Sequence, residues 1–377
     1  MRYSLTKMFW LLLFVVAAVV PINAQVITAY NIDNTILVDG SHFPCSDVGI
    51  NNALAALPSS LGTVIVPGCQ GILPLSSTVT IGPGQTLILN HGTEVQPQSS
   101  GLEMFSVKAG GTLKGLWADV SNQPSYESAI ISLTDNYRDG TQTTIKDILC
   151  TGGPTSLWSA CLNISASSSA QSVAFVNIEN VHISGFYVGV SLTTSGSGFI
   201  NGNFFSDIHV SKAQFGYVFN AGGGAIAGNL LSNISYQCCA SGVTSYGIYL
   251  EGSAPVSQNV FSGFASWDTV APNVPIASIT SSVGQNIFTG RFDGGIYDKN
   301  AANQYFISTL GPGGAGNINA MQLGSTIVSN LPSASSSPGM MVFVSDSTAV
   351  STEGQSCKGG SSNKALAFSN GSVWKCF

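Results

Sequence analysis

Charged residues are scarce in this sequence: 12 lysines and arginines and 18 aspartates and glutamates occur among 377 residues. A net charge of −6, a pI near 5 and the lack of a basic cluster leave no surface suited to phosphates, so we expect no nucleic-acid partner. Disorder is not expected either, because disordered chains combine high charge with low hydrophobicity, whereas 44% of these residues are hydrophobic. The sequence therefore predicts a folded chain.

Long apolar runs are also lacking after the first residues. The run from Phe9 to Val20 follows Arg2 and Lys7, and its helix would rise only about 18 Å, too short for a bilayer core of roughly 30 Å. A basic start, a short apolar run and the small residue Ala24 are typical of a secretory signal peptide, over residues 1–24. We predict no membrane span in the mature chain, and we expect it to be secreted, periplasmic or at the cell surface.

Cysteine pairs with zinc-finger spacing are absent, so no zinc site is predicted. All eight cysteines follow the signal peptide, and export favours disulfides. The adjacent residues Cys238 and Cys239 leave two alternatives open, a vicinal bridge and two buried free thiols. Proximity along the chain predicts the disulfides Cys45–Cys69, Cys150–Cys161 and Cys357–Cys376.

The chain repeats itself at intervals of 26 to 33 residues. In each repeat an apolar residue recurs, and the residue two positions later is always Gly, Asn or Asp. These three types tolerate positive φ, so we predict a sharp left-handed corner at that position. The corner column is formed by Gly115, Asp147, Asn180, Asp207, Asn233, Gly263 and Gly290.

A second apolar column follows each corner and alternates with period two, which is typical of a strand with one buried face. One such repeat cannot bury its apolar face alone, so we expect the repeats to stack as coils about 4.8 Å apart. This predicts an all-β coil stack over residues 61–310. With Ala277 and Ile279 as the last inward pair, the predicted outward positions are Ser132, Asn163, Ser191, Val218, Tyr249 and Ser278.

Both ends of the stack need covering. Residues 25–60 are predicted to form an N-terminal cap with an amphipathic helix, in which Ile50, Ala53, Leu54 and Leu57 face the core and Ser46 or Asp47 is the N-cap. A Gly-rich linker is expected over 311–326. Residues 327–377 are predicted to form a small C-terminal β module with a hairpin at Asn370-Gly371, and this module is a candidate surface for homo-oligomerisation.

The segment DGSHFPCSDVGINNALAALPSSLGTVIVPG, the capping helix and the corner column resemble the pectate-lyase-like superfamily, over about residues 39–310. The resemblance implies a right-handed, single-stranded parallel β-helix, with the corner between the second and third strands of each coil. It also implies a substrate groove on the sheet that the alternating strands form. One fold hosts many functions, so the resemblance is more specific for architecture than for activity.

The catalytic motifs that the resemblance leads one to expect are missing. Polygalacturonase-type hydrolases carry Asn-Thr-Asp, Asp-Asp, Gly-His-Gly and Arg-Ile-Lys, and none of these occurs. Pectate lyases use calcium-binding carboxylates and a basic residue on the groove sheet, but the predicted outward positions contain neither. No cofactor is therefore predicted, and calcium has no supporting motif.

Several of the few acidic residues are predicted to lie near the later coils. Tyr249 is predicted to project from the groove sheet with Tyr297 nearby, and both are candidate substrate-binding residues because an aromatic ring offers an apolar face to a sugar. Glu251, Asp268 and Asp298 are the candidate catalytic acids, since glycoside hydrolysis needs two carboxyls about 5–9.5 Å apart. Solvated loop acids without a catalytic role are the alternative interpretation.

His182 and His209 occupy the same repeat position and are predicted to stack on adjacent coils. Two such imidazoles would share a metal or a proton, or form a ladder without chemistry. The neighbouring coils place Leu149 and Ser235 at this position, which supply no third ligand, so the ladder is favoured and no metal site is predicted.

Two functions are compatible with these patterns. The first is an extracellular β-helix protein that binds polysaccharide or a surface glycan, or that serves in adhesion. The alternative is a polysaccharide lyase or glycoside hydrolase with non-standard acidic residues. The missing catalytic motifs, the exterior rich in Ser, Thr and Asn, and the C-terminal module favour the first.

Overall fold

A computed structural model provides the coordinates. The predicted signal peptide, Asp268 and the pair Cys238 and Cys239 lie outside the residues that the structure describes. The described residues are 34–58, 61–69, 71–90, 92–134, 142–153, 158–237, 244–266, 274–280, 282–292, 296–299, 302–310, 317–322, 325–336, 338–339, 341–348 and 354–377.

The N-terminal helix α1 spans Asp47–Ala55 and begins at Ser46, whose Oγ accepts a hydrogen bond from the backbone N–H of Gly49 at 3.2 Å. This bond gives a partner to one of the N–H groups that the first helical turn leaves unpaired, and it thereby fixes where the helix begins. The carboxylate of Asp47 instead accepts hydrogen bonds from the backbone N–H and hydroxyl groups of Ser76 and Ser77. The helix is thereby joined to the first coils, and its apolar face packs into the core.

Short strands make up most of the rest of the chain. The first half contains β1 Thr35–Leu37, β2 Gly62–Val66, β3 Ile72–Leu75, β4 Val79–Ile81, β5 Gln85–Leu89, β6 Glu94–Pro97, β7 Phe105–Val107, β8 Thr112–Lys114, β9 Trp117–Asp119, β10 Ala129–Leu133, β11 Thr144–Thr151, β12 Ala160–Ala166, β13 Val173–Ala174, β14 Asn177–Ser184, β15 Val188–Thr194, β16 Ile200–Asn201 and β17 Phe204–Ser211. The second half contains β18 Phe215–Ala221, β19 Ile226–Ala227, β20 Leu230–Gln237, β21 Tyr246–Gly252, β22 Val256–Ser257, β23 Val260–Ser266, β24 Val274–Ser278, β25 Val283–Gly284, β26 Ile287–Phe292, β27 Ile296–Asp298, β28 Gln304–Leu310, β29 Asn317–Gln322, β30 Ser325–Thr326, β31 Met341–Val344, β32 Gln355–Ser356, β33 Ala365–Ser369 and β34 Trp374–Cys376. Three 3₁₀ turns are described at Ser169–Gln171, Val328–Asn330 and Ala334–Ser336.

Parallel pairing between successive repeats builds three sheets along one axis. The first sheet follows the path β1-β2-β5-β8-β11-β14-β17-β20-β23-β26-β28-β29, the second sheet runs from β4 to β27, and the third sheet joins β13, β16, β19, β22 and β25. Equivalent strands of successive repeats pair side by side, so that Ile178 lies opposite Phe205, and Phe205 opposite Leu231. The chain is therefore a parallel β-solenoid of about 8 turns.

The corner column has the predicted backbone conformation. Asn180, Asp207 and Asn233 have φ values of 55°, 55° and 50°, and Asp147 has 58°. Asn180 Nδ2 donates a hydrogen bond to Asp147 Oδ1 at 2.7 Å, and the amide of Asn233 donates to the carboxylate of Asp207. The side chains that permit the left-handed corner thus also link neighbouring coils.

Gly263 differs from the rest of this column. It lies outside the left-handed region, and the pairing of β20 with β23 shifts register between Leu231 and Ile234. A Cβ atom at Gly263 would lie 1.9 Å from the carbonyl oxygen of Ile234. Glycine is required here for close backbone approach rather than for positive φ.

A second left-handed corner, which the sequence analysis did not identify, follows the third sheet. The φ values lie between 57° and 67°. Phenylalanine and glutamine are not types that signal positive φ, so stacking, rather than local preference, holds them there. The residues are Phe175, Gly202, Gly228, Gln258 and Gln285.

The predicted outward position of Ser278 is wrong by one residue. Ile276 lies opposite Ile248, Ala277 opposite Tyr249, and Ser278 opposite Leu250, which faces the core. A slip of one residue exchanges the two faces of a strand, and the apolar residues Ile276, Ala277 and Ile279 allowed either assignment.

A column of fully buried asparagines, at most 2% exposed, runs through the later coils. Each side-chain Nδ2 donates to Oδ1 of the next asparagine at 2.8–2.9 Å, and each Oδ1 after the first also accepts the backbone N–H of the preceding asparagine. Amides are tolerated in the core because these bonds satisfy them. The asparagine ladder consists of Asn203, Asn229, Asn259, Asn286 and Asn303.

The three predicted disulfides are present, and the chain that follows the last coil forms further strands. The disulfides Cys45–Cys69, Cys150–Cys161 and Cys357–Cys376 are confirmed, with Cα–Cα distances of 5.8, 6.0 and 5.0 Å. Strand β29, within the segment expected to be a linker, pairs antiparallel with β28 and covers that edge of the first sheet. Strands β30–β34 form the small C-terminal sheet with its own core around Trp374.

Disulfides are consistent with the secreted protein that the sequence predicts, because they persist in oxidising compartments. Within the described ranges, no helix has the length and apolarity needed to cross a membrane.

Candidate functional site

Four aromatic rings cluster on the outward face of the second sheet. Phe215 stacks on Tyr246 at a centroid distance of 5.1 Å, and Tyr249 meets these two rings edge-on at 5.2 and 5.1 Å. Tyr187 lies 5.3 Å from Phe215. All four rings are half-buried. Tyr187 directly precedes β15, Phe215 and Tyr246 are the first residues of β18 and β21, and Tyr249 lies further along β21.

A row of polar side chains borders these rings. Ser165, Thr193, Asn220 and Glu251 lie opposite one another on β12, β15, β18 and β21. Asn220 Nδ2 donates to Glu251 Oε1 at 2.7 Å. We call the four rings together with Asn220 and Glu251 the aromatic patch; it combines apolar ring faces with hydrogen-bonding groups, as ligand sites do.

Burial shifts the pKa of two groups in the patch, Tyr249 and Glu251. It raises the pKa of Tyr249 to about 12, and the negative charge of Glu251 adds to this effect. Burial also raises the pKa of Glu251, while a hydrogen bond from Tyr249 lowers it. Tyr249 therefore keeps its proton at neutral pH, which suits a hydrogen-bond donor rather than a general base.

The structure separates the other candidate residues. Tyr297 lies in the row of Tyr249, two strands further on and 52% exposed. Asp298 lies in the row of Leu250, which faces the core, and its Oδ2 accepts hydrogen bonds from Tyr305 Oη at 2.8 Å and from Asn303 Nδ2 at 3.0 Å.

We therefore assign Asp298 to the end of the asparagine ladder. Tyr249 and Glu251 are brought together, but Asp298 is not beside them, and Asp268 falls outside the described part of the chain. Phe215 and Tyr246 were not predicted from the sequence as site residues. Their signal was an aromatic residue two positions before the inward residues Tyr217 and Ile248.

A groove on the first sheet contains the two stacked histidines. One register row carries Leu149, His182, His209, Ser235 and Phe264 on successive strands. The cavity over this row has a volume of about 330 Å³, and Ser184, Ser211 and Gln237 line its side. We call it the histidine groove.

The predicted stacking of the imidazoles is confirmed. The rings of His182 and His209 lie 5.0 Å apart with an interplanar angle of 27°, and His209 Nδ1 is 2.6 Å from Ser235 Oγ. Ring lone pairs lie in the ring plane, so nearly parallel imidazoles do not converge on one ion. Among the described residues no group of three His, Cys, Asp or Glu side chains is placed to hold a metal.

Because of His209, the folding stability of the protein is expected to fall in weak acid. Burial and the neighbouring His182 lower its pKa below 6.5, although Asp207 opposes the effect. As pH falls through that range the unfolded chain takes up the proton first, so folding becomes less favourable. The thermal midpoint of His209→Gln should therefore fall less than that of the wild type between about pH 7.5 and pH 5.5. Equal falls in the two proteins would contradict this assignment.

No family model and no curated protein matches the sequence. Among solved structures, the chain is similar to "Geobacillus virus E2 - ORF18", with a TM-score of 0.40 and 11% sequence identity over 96% of this chain and 78% of that one. Agreement at this level supports no inference about function, so the functional argument depends on the site itself.

Proposed function

We propose that this chain is an exported β-solenoid protein that binds polysaccharide or a surface glycan through the aromatic patch. The observation that supports this is the position of four half-buried rings beside Asn220 and Glu251. Ring faces contact the C–H face of a pyranose, while the amide and carboxylate bind its hydroxyl groups. A role in surface adhesion would use the same patch.

The charge of the patch favours a neutral glycan. Glu251 is the charged residue of the aromatic patch, and its pKa is already raised by burial. A uronate placed beside it would add a second negative charge, and repulsion at 4 Å costs about 4 kcal/mol at an effective dielectric constant of 20. A neutral sugar avoids this cost, and its hydroxyl groups donate hydrogen bonds to the carboxylate.

Relationship to the pectate-lyase-like superfamily is part of the proposal. It is supported by the parallel coils, the capping helix and the left-handed corner at Asn180, Asp207 and Asn233. Binding is favoured over hydrolase activity because the aromatic patch contains one carboxylate, that of Glu251, and the two-carboxyl mechanism of glycoside hydrolysis needs a second.

Tyr249→Ala is expected to weaken glycan binding by at least about tenfold, because buried aromatic anchors contribute most to such sites. The measurement is titration against the glycans that the wild type selects from an array of neutral and uronate oligosaccharides. Phe204→Ala is the matched control, since Phe204 is 49% exposed on the other sheet. Unchanged affinity for every selected glycan would contradict the proposed site.

Glu251→Gln separates the binding and enzymatic functions. If Glu251 is a general acid or base, the variant loses nearly all turnover, measured as reducing sugar or unsaturated product. If Glu251 only binds the glycan, the variant changes affinity alone. The variant should also lose the discrimination against uronate oligosaccharides, because the repulsive charge is removed. Turnover by the wild type that Glu251→Gln abolishes would favour the enzyme.

A further inference from the structure

The small C-terminal sheet is apolar on both of its faces. One face carries Val342, Ala367 and Cys376, which are buried in the core of the C-terminal module. The alternating residues of β31, β33 and β34 point to the opposite face, and Phe377 extends it because it exchanges two backbone hydrogen bonds with Leu366. We call this the outer face; it carries Met341, Phe343, Leu366, Phe368, Lys375 and Phe377.

The outer face is open to solvent in the single chain. Met341 and Phe377 are 43% and 51% exposed. Phe343, Leu366 and Phe368 are half-buried, and they pack against neither the solenoid core nor the module core in the described part of the chain. An antiparallel sheet with one face in water normally alternates apolar inward residues with polar outward residues. Apolar rows on both faces instead indicate that a second layer covers the outer face.

The composition of the outer face favours a protein layer over a glycan. Sugar sites combine ring faces with several hydrogen-bonding groups, as the aromatic patch does. On the outer face the polar residues Lys375 and Ser356 lie together at one side, beyond Phe368. A lysine at a rim keeps its ammonium group in water while its methylene groups extend the apolar surface. An apolar centre with a polar rim is typical of a protein–protein interface.

The shape and area of the outer face fit a second copy of the same chain. Two sheets pack face to face about 10 Å apart, and a twofold axis presents the same apolar rows to each other. Five partly exposed side chains of this size form an apolar patch of roughly 300–400 Å². Two such patches with their rims bury roughly 1,000 Å² in total, the lower limit of specific interfaces, so the pair should dissociate on dilution.

We infer that the outer face of the C-terminal sheet pairs with the same face of a second copy, which forms a twofold homodimer. Pairing does not depend on glycan binding. Its consequence for binding does rest on the proposed function: a pair of chains presents two aromatic patches to one repeating polysaccharide, and avidity rises without a new contact to the sugar.

Leu366→Lys is expected to weaken the dimer at least about 100-fold, because a twofold axis brings like charges together in an apolar interface. Leu366 lies between Phe343 and Phe377 in one row of the outer face. Phe368→Thr is the milder variant, since threonine suits a strand but removes the ring, and at least about a tenfold loss is expected. Sedimentation equilibrium of the full chain, from submicromolar to several hundred micromolar, measures the mass.

Leu230→Lys is the matched control, because Leu230 is 39% exposed on the first sheet of the solenoid. Hydrogen exchange of the Trp374 indole, which donates to the carbonyl of Pro332 at 2.7 Å, reports whether the module stays folded in each variant. If Leu366→Lys unfolds the module, Phe368→Thr decides. Glycan titration in solution is expected to give unchanged affinity for both outer-face variants, so pairing and glycan binding are tested separately.

The masses of the four proteins decide the outcome. Pairing is supported where wild type and Leu230→Lys reach twice the monomer mass while Leu366→Lys and Phe368→Thr remain monomers at the same concentrations. A wild-type chain that is monomeric over the whole range overturns it. A dimer that both outer-face variants retain also overturns it, because the contact then lies elsewhere, and so does a wild-type mass of three or more chains.

Discussion

Replacing Asn259 by alanine is expected to destabilise the protein by about 4 kcal/mol, a large part of the 5–15 kcal/mol typical of folded domains. Its Oδ1 accepts from the backbone N–H of Asn229 at 3.1 Å and from the side-chain Nδ2 of Asn229 at 2.8 Å. Its own Nδ2 donates to the carbonyl of Ile226 and to Oδ1 of Asn286. Alanine leaves several of these buried groups unpaired, at about 1–3 kcal/mol each.

Chemical denaturation gives the change in free energy of unfolding, and hydrogen exchange at the Asn229 amide reports the local loss of its acceptor. The matched control is Asn201→Ala, because Asn201 is an exposed asparagine two positions before Asn203 in the same coil. We expect that control to change stability by no more than about 0.5 kcal/mol. A loss below about 1 kcal/mol for Asn259→Ala, or protection of the Asn229 amide equal to wild type, would show that the ladder is not a major source of stability.

The asparagine ladder shows why part of the fold could not be predicted. Asn259 lies two positions before the apolar residue Phe261, and each of the other four ladder residues also lies two positions before an apolar or aromatic residue. The regular position of these asparagines was therefore visible in the sequence repeats. An asparagine in a sequence nevertheless resembles a loop residue. Its burial becomes favourable only when stacked coils supply partners on both sides, which is a property of the whole solenoid.

Local backbone sterics explain what could be predicted. Asn180, Asp207 and Asn233 were identifiable as corners because few residue types adopt positive φ at low cost. The second corner at Gln258 and Gln285 was missed because packing imposes that conformation against local preference. Residue type alone therefore predicted one of the two corners.

The candidate site was also predictable only in part. Period-two alternation placed Tyr249 outward, and the repeat placed His182 beside His209. Asp298 was misjudged because its carboxylate points at Tyr305, a partner visible only in three dimensions.

Gly263→Asn is expected to destabilise the protein by about 3 kcal/mol, even though asparagine occupies the equivalent position in the preceding coil. Any Cβ at residue 263 would lie 1.9 Å from the carbonyl oxygen of Ile234 and 2.8 Å from its carbonyl carbon. Backbone atoms of a paired strand cannot move aside without separating β20 from β23, so the cost is that of forcing extra atoms into a packed interior. Residue types in the corner column are therefore interchangeable only where the neighbouring backbone leaves room for a Cβ atom, which it does not at Gly263.

The control is the opposite substitution, asparagine to glycine, at the equivalent position of the preceding coil. Asn233 has a φ of 50°, which glycine adopts readily, so Asn233→Gly should lose only the exposed side-chain hydrogen bond to Asp207, a change of about 1 kcal/mol or less. Thermal and chemical denaturation of the two variants measure the difference directly. Similar stabilities would mean that the register shift between β20 and β23 relaxes to admit a side chain. A loss confined to Gly263→Asn would instead show that this coil needs glycine for close backbone contact.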